Sequence, residues 1–502
     1  KKYTQEELTA LCQARGIPCL PVNSPKQFIN DTQVRERGFV VPVTYPNGDA
    51  VEQPAAPFLI NNLRPEIKSA PALGIGPKAD QNQHATSAEQ IAGTASDQDT
   101  GASPPLKGMR IVSFDHVLAG PYGTTILAEL GADLIKVESR KGGLDPFRFF
   151  GTGEDPNLSP RFLEFNRNKR SLSVNLKHPS GPPIILDLVR HSDAVIDNFS
   201  LDVMAKLGLS YEHLCRVKPD IVTLRMPGLG ATGSRRHYST VGNTITAFTG
   251  MTYLWNHPGR NEAPVGSQLV YPDYVAGVMA AALIIAGVLY RDRQQQGAAI
   301  DLSQAEATAY MIGGSLMEAK ALGRDPEPMG NRSPFAAPHG CYRCKGEDRW
   351  CAIAVENDEQ WRLFAETLRA EFEQDQRFKT LDGRLQYQDE LDRLIERWTR
   401  DRDCYEVMAA LQRVGVPCGV VQNGADLAAD PHLRQRGFLV EVENQRLGRV
   451  VLPSFPLRLA NANLEPKWEF PELGRDNEAV LRGVLGYSEE KIKELGSAGV
   501  ME

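Results

Sequence analysis

The sequence predicts an α/β protein with an open, parallel, Rossmann-like large domain and a smaller α+β domain. Three observations predict it. Between Met109 and Met226, short apolar runs alternate with helical segments, the pattern of a parallel sheet covered by helices on both faces. From about 325 the pattern changes to a hairpin followed by amphipathic helices. From about 435 it turns β-rich and ends in a helix near Ser488, as a chain returning to its first domain would.

Residues 76–107 are poor in large apolar side chains and rich in Ala, Gly, Ser, Asp and Gln, so they read as a flexible linker. A strand is expected at 109–114, then a helix at 121–130 with Pro121 near its start and Gly131 just past its end. Strand 133–138 follows, helix 181–191 and strand 193–199 repeat the unit, and 221–226 adds another strand. Gly228-Leu229-Gly230-Ala231-Thr232-Gly233 has the spelling of a dinucleotide fingerprint, but no helix opens after it, so a glycine-rich surface loop is expected. The apolar stretch 274–290 reads as a buried helix. A hairpin at 341–354 turns at Lys345-Gly346-Glu347-Asp348, and helices at 361–368, 385–398 and 404–413 follow it. The expected divisions are 108–324 for the large domain, 325–430 for the small one, and 431–502 for the return to the large domain.

An internal repeat accounts for the start of the chain. Gly16-Ile17-Pro18-Cys19 matches Gly415-Val416-Pro417-Cys418. Without a gap, Asp31, Arg35 and Arg37-Gly38-Phe39 match Asp430, Arg434 and Arg436-Gly437-Phe438. Residues 1–75 are therefore expected to be the C-terminal tail of a preceding copy of the same domain, in tandem with the one that follows the linker.

Composition narrows the function classes. The chain is 41% hydrophobic and 24% charged, ordinary for a soluble globular protein. A net charge of −7 gives a nucleic-acid partner no support. The apolar run 276–289 is short for a bilayer span and ends at Arg291 and Arg293, so no membrane partner is expected and a cytoplasmic location is. Eight scattered cysteines do not make a disulfide scaffold in a chain this long. Cys341-x-x-Cys344 with Cys351 nearby lacks a second Cys-x-x-Cys pair, so hairpin cysteines and no metal are expected.

Asp273 is the residue that draws the eye. It ends Val265-Gly266-Ser267-Gln268-Leu269-Val270-Tyr271-Pro272-Asp273, at the mouth of the long apolar run. Local sequence fits a helix N-cap. It also fits an ionised, partly desolvated carboxylate, which is a usable nucleophile.

Several motifs stand in one order: Asp115-His116-Val117-Leu118-Ala119-Gly120-Pro121, Phe165-Asn166-Arg167-Asn168-Lys169-Arg170-Ser171, Asp197-Asn198-Phe199 and Met204-Ala205-Lys206-Leu207-Gly208. Then come Gly266 to Asp273, Gly330-Asn331-Arg332 and Gly415-Val416-Pro417-Cys418. As an ordered set they resemble the class III (CaiB/BaiF) CoA-transferase family, over 108 to about 498. The resemblance implies a large domain built from both chain ends and protomers that interlock. The partner is then the first copy of a fused chain or a second protomer. It places Asp273 on the family's catalytic aspartate. Asp273 would attack the donor acyl-CoA to give a mixed anhydride and CoA thiolate. The thiolate would return to form an aspartyl-CoA thioester, and the acceptor acid would run these steps in reverse.

The resemblance also carries CoA contacts onto His116, Ala119, Val174, Leu176, Asn198, Phe199 and Lys206, with Arg140 and Lys169 near the phosphates. Departures matter. The family's glycine lid falls on Ser333-Pro334-Phe335-Ala336, and formyl-CoA transferase's active-site glutamine falls on Leu118. Related α-methylacyl-CoA racemases pair the aspartate with a histidine, and that place falls near Val241, with His237 several residues early. A racemase-like isomerase and an inactive CoA-binding half are the alternatives. Tyr253, Trp255, Tyr271 and Tyr274 cluster in sequence around Asp273 and suit an onium cation. The acceptor acid is accordingly expected to be an onium acid: dimethylsulfoniopropionate, with release of dimethyl sulfide in a coupled lyase step, or a carnitine- or betaine-like acid.

Overall fold

The computed structural model describes residues 2–70, 103–141, 143–150, 155–259, 266–369, 371–444, 446, 448–459, 462, 464 and 470–501. The linker expected at 76–107 lies outside the described residues as far as 102. Its last five positions belong to the fold instead. Leu106 is buried in the core, and its N–H donates to the Leu130 carbonyl at 2.9 Å.

The chain divides into two compact units. The larger comprises Lys1–Tyr253, Gly266–Pro326 and Val440–Glu502, and the smaller comprises Leu254–Val265 and Glu327–Leu439.

The larger unit holds a seven-stranded sheet. Its strands are β1 (Phe58–Ile60), β2 (Arg110–Phe114), β3 (Asp133–Glu138), β4 (Arg170–Ser173), β5 (Ala194–Asp197), β6 (Val222–Arg225) and β7 (Ala298–Leu302). The order is β1-β7-β6-β5-β2-β3-β4, parallel throughout except for the antiparallel β1–β7 pair. Strands β2 and β5 are neighbours, and the sheet grows outward from them in opposite directions. That is the topological switch point of a doubly wound sheet, where ligands bind beyond the carboxyl ends of the strands.

β2, β3 and β5 are buried on both faces, which is why they read as apolar runs rather than alternating ones. One face takes Ile111, Leu134, Ile196, Leu224 and Ile300 against two helices, α1 (Ala119–Glu129) and α3 (Tyr271–Gln294). Between these in sequence lies a shorter helix, α2 (Gly242–Phe248). The other face takes Val112, Ile135 and Val195 against Ile184, Ile185 and Leu188 of helix Gly181–Arg190. The returning C-terminal segment adds Val480, Leu481 and Val500 to that core. At the outer edge, the Ser171 and Ser173 N–H groups donate to Asp476 Oδ2 and Asn477 Oδ1, each at 2.8 Å.

α3 has 24 residues and is long and apolar enough to cross a bilayer by length and composition, more so than the run 276–289 suggests. Here Ala276, Ala280, Ala281 and Ile284 bury one side of it in the core of the large unit.

Three strands, β1, β4 and β7, have no clear signal in the sequence. β4 is Arg-Ser-Leu-Ser, too polar and short to show a period. β1 comes from the N-terminal stretch, which lies on the large unit: Phe28, Ile29, Val34 and Phe39 share a core with Leu229, Ile245, Phe248 and Ala305. The loop Gly228–Gly233 is consequently not the surface loop expected. Leu229 is buried, and a Cβ at Gly230 (φ +85°) would stand 2.1 Å from Arg37 Cζ. The glycines let the guanidinium pass over the backbone.

The smaller unit has a three-stranded antiparallel sheet of β8 (His339–Arg343), β9 (Trp350–Ala354) and β10 (Cys418–Val420). The helix expected at 385–398 is two, Leu381–Gln386 and Gln388–Thr399, broken at Tyr387 (φ −108°, ψ 26°). Helices Asp358–Leu368 and Cys404–Arg413 complete the unit. Cys344 and Cys351 lie in its core with their sulfurs 3.5 Å apart, while Cys341 is exposed.

Candidate active site

The turn after β2, residues 115–119, is held from three sides. Asn198, at the end of β5, clamps His116 by two bonds of 2.8 Å, one from the His116 N–H and one to its carbonyl. This is the switch point put to use, since only there can the ends of β2 and β5 share a side chain. Val117 sits in the left-handed region (φ +65°), unfavourable for a β-branched residue. Its N–H donates to Asp145 Oδ1 at 3.0 Å.

Beneath the turn lies a buried ionic network. Lys136 Nζ reaches Asp115 Oδ1 at 2.7 Å, Asp145 Oδ2 at 3.2 Å, and the Asp115 carbonyl. Thr124 Oγ1 donates to Asp115 Oδ2. Burial opposes the Asp115 charge, but Lys136 and Lys169 outweigh it and hold the carboxyl well below its ordinary range. Burial pushes Lys136 down, and Asp115, Asp145 and Glu138 more than restore it. The turn therefore rests on a satisfied set of fixed charges, with Asp145 passing that rigidity to Val117.

Asp273 lies across α1 from this turn. It is the third residue of α3, and the N-cap is Val270, which makes no side-chain cap bond, so Asp273 is not the cap. The two helices meet at backbone contact. A Cβ on Gly123 would stand 2.5 Å from the Gly277 carbonyl oxygen, and one on Gly277 would stand 2.8 Å from that of Ala119. This close crossing brings the Ala119 N–H to the Asp273 carboxylate. Burial, only partly offset by the N–H groups of Asp273 and Ala119, raises Asp273 to about 6. Its Oδ2 is buried and accepts no hydrogen bond. A Cβ on Gly242, the first residue of α2, would lie 2.2 Å from that oxygen.

Of the other residues singled out in the sequence, His116, Ala119, Asn198 and Phe199 come together. The His116 and Phe199 rings meet edge to face at 4.8 Å. His116 Nε2 is buried without a hydrogen-bond partner, and burial with the nearby Lys136 charge lowers its pKa, keeping the ring neutral. Val174 is fully buried in the core and Leu176 packs against it, so neither side chain offers a broad surface. Lys206 is exposed on its short helix, and Arg140 is exposed just beyond β3. Lys169 is no phosphate ligand. It is fully buried and donates to the Pro121 and Phe165 carbonyls and to Asn166 Oδ1, and burial lowers it to about 7.

Tyr274 packs edge to face on Tyr122 at 5.1 Å and on Phe165 at 6.3 Å. Tyr253 and Tyr271 are half-buried in the larger unit, and Trp255 is an exposed residue of the smaller one. In the smaller unit, Gly330, Asn331 and Arg332 line a cavity of about 610 Å³ with His339, Cys341 and Cys418. Arg332 pairs there with Asp389 and Asp392.

Three parts escaped the sequence reading: the Lys136–Asp145 support, Gly242, and the Gly123–Gly277 crossing. The one legible signal was a lysine and a glutamate alternating with Ile135 and Val137 in the buried strand β3.

A carboxylate with one unshared buried oxygen and a backbone N–H beside it can attack a carbonyl carbon and stabilise the oxyanion that results.

Comparison with known proteins meets this geometry. The profile of CoA-transferase family III matches residues 1–75 and 106–477. The succinyl-CoA–L-malate CoA-transferase alpha subunit of Chloroflexus aurantiacus is 32% identical over 428 residues, 83% of this chain and 98% of that protein. A probable CoA-transferase of Mycobacterium tuberculosis, Rv1866, is 28% identical over 99% of this chain, which spans 62% of that longer protein. Among solved structures, a CAIB/BAIF family protein from Brucella suis matches 76% of this chain and all of its own, with 29% identity and a TM-score of 0.67.

Proposed function

The chain belongs to CoA-transferase family III, and on that premise we propose that it moves CoA from an acyl-CoA to a free carboxylic acid, with Asp273 as the acyl carrier. The observation that carries this reading is the buried, unpartnered Asp273 Oδ2 with the Ala119 N–H at the same carboxylate. A structural aspartate would have both oxygens satisfied.

Asp273 attacks the thioester carbonyl, the carbon–sulfur bond breaks, and a mixed anhydride and CoA thiolate form. The thiolate attacks the aspartyl carbonyl, releasing the donor acid and leaving an aspartyl-CoA thioester. The acceptor carboxylate attacks that thioester, and the thiolate then takes the acyl group from the new anhydride, returning Asp273. Each exchange is nearly thermoneutral, so positioning and anion stabilisation are what the protein supplies. CoA lies over the switch point, near His116, Ala119, Asn198 and Phe199, with Lys206 and Arg140 toward its phosphates.

The acids are small dicarboxylates, by likeness to the succinyl-CoA–L-malate enzyme. An onium acid has less support, because the Tyr274 ring is taken up by Tyr122 and Phe165. Racemisation has less still. Gly242, not a histidine, stands at Asp273 Oδ2, Val241 is exposed, and His237 lies 3.5 Å from Asp202.

The test is to incubate the enzyme with succinyl-CoA and then with hydroxylamine or borohydride, followed by peptide mass spectrometry. Modification at Asp273 is expected. Turnover with an unmodified Asp273, or exchange of the α-proton without any acceptor acid, would sink the reading.

A further inference from the structure

We propose that the open face of β6 binds a free α-amino acid, with its ammonium on Asp197 and its carboxylate on Arg225. That site is separate from the acyl transfer and does not depend on it.

The sheet has a gap in its cover. β6 is an interior strand, between β5 and β7, and a parallel sheet is ordinarily covered on both faces. Val222 and Leu224 follow that rule, buried in the core that α3 closes. Thr223 and Arg225 alternate with them, so they point to the opposite face, and there they are only half-buried. Over them, among the described residues, lies a cavity of about 660 Å³ whose lining belongs wholly to the larger unit. α1 and α3, with Asp273, pack on the other face of the sheet.

The charges on the open face stand in a row. Asp197, Arg225 and Asp301 are register partners on β5, β6 and β7, each one strand spacing, about 5 Å, from the next. Asp301 is satisfied: it takes Arg37 Nη1 at 2.8 Å and the Ala231 N–H at 3.0 Å. The other two are not. Asp197 is 9% exposed and accepts the Phe199 N–H, with no cation at ion-pair distance among the described residues. Burial raises its carboxyl to about 6, and Arg225 and that N–H offset the rise only in part. Arg225 makes no ion pair or hydrogen bond among the described residues. Opposite charges on registered neighbours ordinarily pair across the strands. Here each keeps its bonding capacity for the cavity.

The complement of such a pair is a zwitterion. An anion alone would face the uncompensated Asp197 carboxylate and Glu212 at the rim, and a cation alone would meet the Arg225 guanidinium. The phosphates of CoA are disfavoured on the same ground. An α-amino acid carries both charges on one carbon, so it can meet both groups at once. Its ammonium supplies the donors that a buried carboxylate needs, and its carboxylate suits the two-bond geometry of a guanidinium. Met204, Leu209 and Tyr211 line the same cavity, so an apolar side chain fits beside the charges.

The experiment is isothermal titration calorimetry of the full protein, without acyl-CoA, using L-valine, L-leucine, L-methionine and L-phenylalanine as probes. Saturable binding of at least one of them, one molecule per chain, is expected. Its deaminated and decarboxylated counterparts should each bind more weakly by about tenfold or more. Arg225→Gln and Asp197→Asn should each weaken binding by about tenfold or more. Thr223→Phe, which fills the cavity and leaves both charges in place, should abolish it. Melting curves show which variants fold, and the comparison of analogues, which needs no variant, carries the test where one does not. No saturable binding of any probe up to millimolar concentration, undiminished binding in a folded variant, or equal binding of the deaminated acid overturns the proposal. None of these outcomes bears on modification at Asp273.

Discussion

Two carboxylates flank α1, and the fold treats them in opposite ways. Asp115 is sealed in the interior with Lys136 at 2.7 Å, Lys169 at 3.9 Å and the Thr124 hydroxyl, and its pKa is held low. Asp273 has backbone N–H groups alone, keeps one oxygen unshared, and is raised to about 6. Low-dielectric surroundings make a fixed structural anion where cations are supplied and a reactive one where they are withheld.

Four experiments sharpen or break that contrast. The largest effect belongs to Asp273→Asn, which should lower steady-state transfer by about 10³-fold or more. Residual turnover above about a tenth would put Asp273 on the structural side with Asp115. Next is Lys136→Met, which strands two buried carboxylates and should cost about 3–5 kcal/mol in denaturant unfolding. A loss comparable to that of a surface substitution would mean that the network does not support the turn.

The third concerns stability rather than rate. The folded pKa of Asp273, about 6, lies above its unfolded value. Between the two, the native state binds the proton and the unfolded state does not. Stability therefore falls as pH rises through that window, and the cost is complete above about 6. Asp273→Asn should accordingly melt higher than the parent at pH 8, by about 2 kcal/mol, with the gain vanishing near pH 4. Equal melting temperatures at pH 8 would remove the claim of an uncompensated charge. The smallest effect is the pH profile. The nucleophile must be ionised, so kcat/KM should fall about tenfold per pH unit below pH 6. A flat profile down to pH 5 contradicts the raised pKa.

Much of this was legible beforehand. Short, largely apolar runs betray strands packed in the sheet, so β2, β3, β5 and β6 and the long helix of Asp273 are visible in sequence. β4 and β7 are not, because Arg-Ser-Leu-Ser and Ala-Ala-Ile-Asp-Leu owe their conformation to neighbours far away in sequence. Asp273 and His116 stand out in ordered motifs, whereas the roles of Gly242 and Asp145 consist of what touches them in space. The glycine loop misled for the same reason. Its spelling fits a phosphate cradle, and only the docked Arg37 shows what the missing side chains make room for.

The two edges of the large sheet bear on how the protein survives in a crowded solution. One edge is covered by β1, supplied by the N-terminal arm, and at the other the Ser171 and Ser173 amides are tied to Asp476 and Asn477. Among the described residues, neither end leaves a long row of open amides on which strands of other molecules could nucleate. Solubility thus depends on short segments at opposite ends of the chain, and trimming either one exposes a template for aggregation without touching a single residue of the active site.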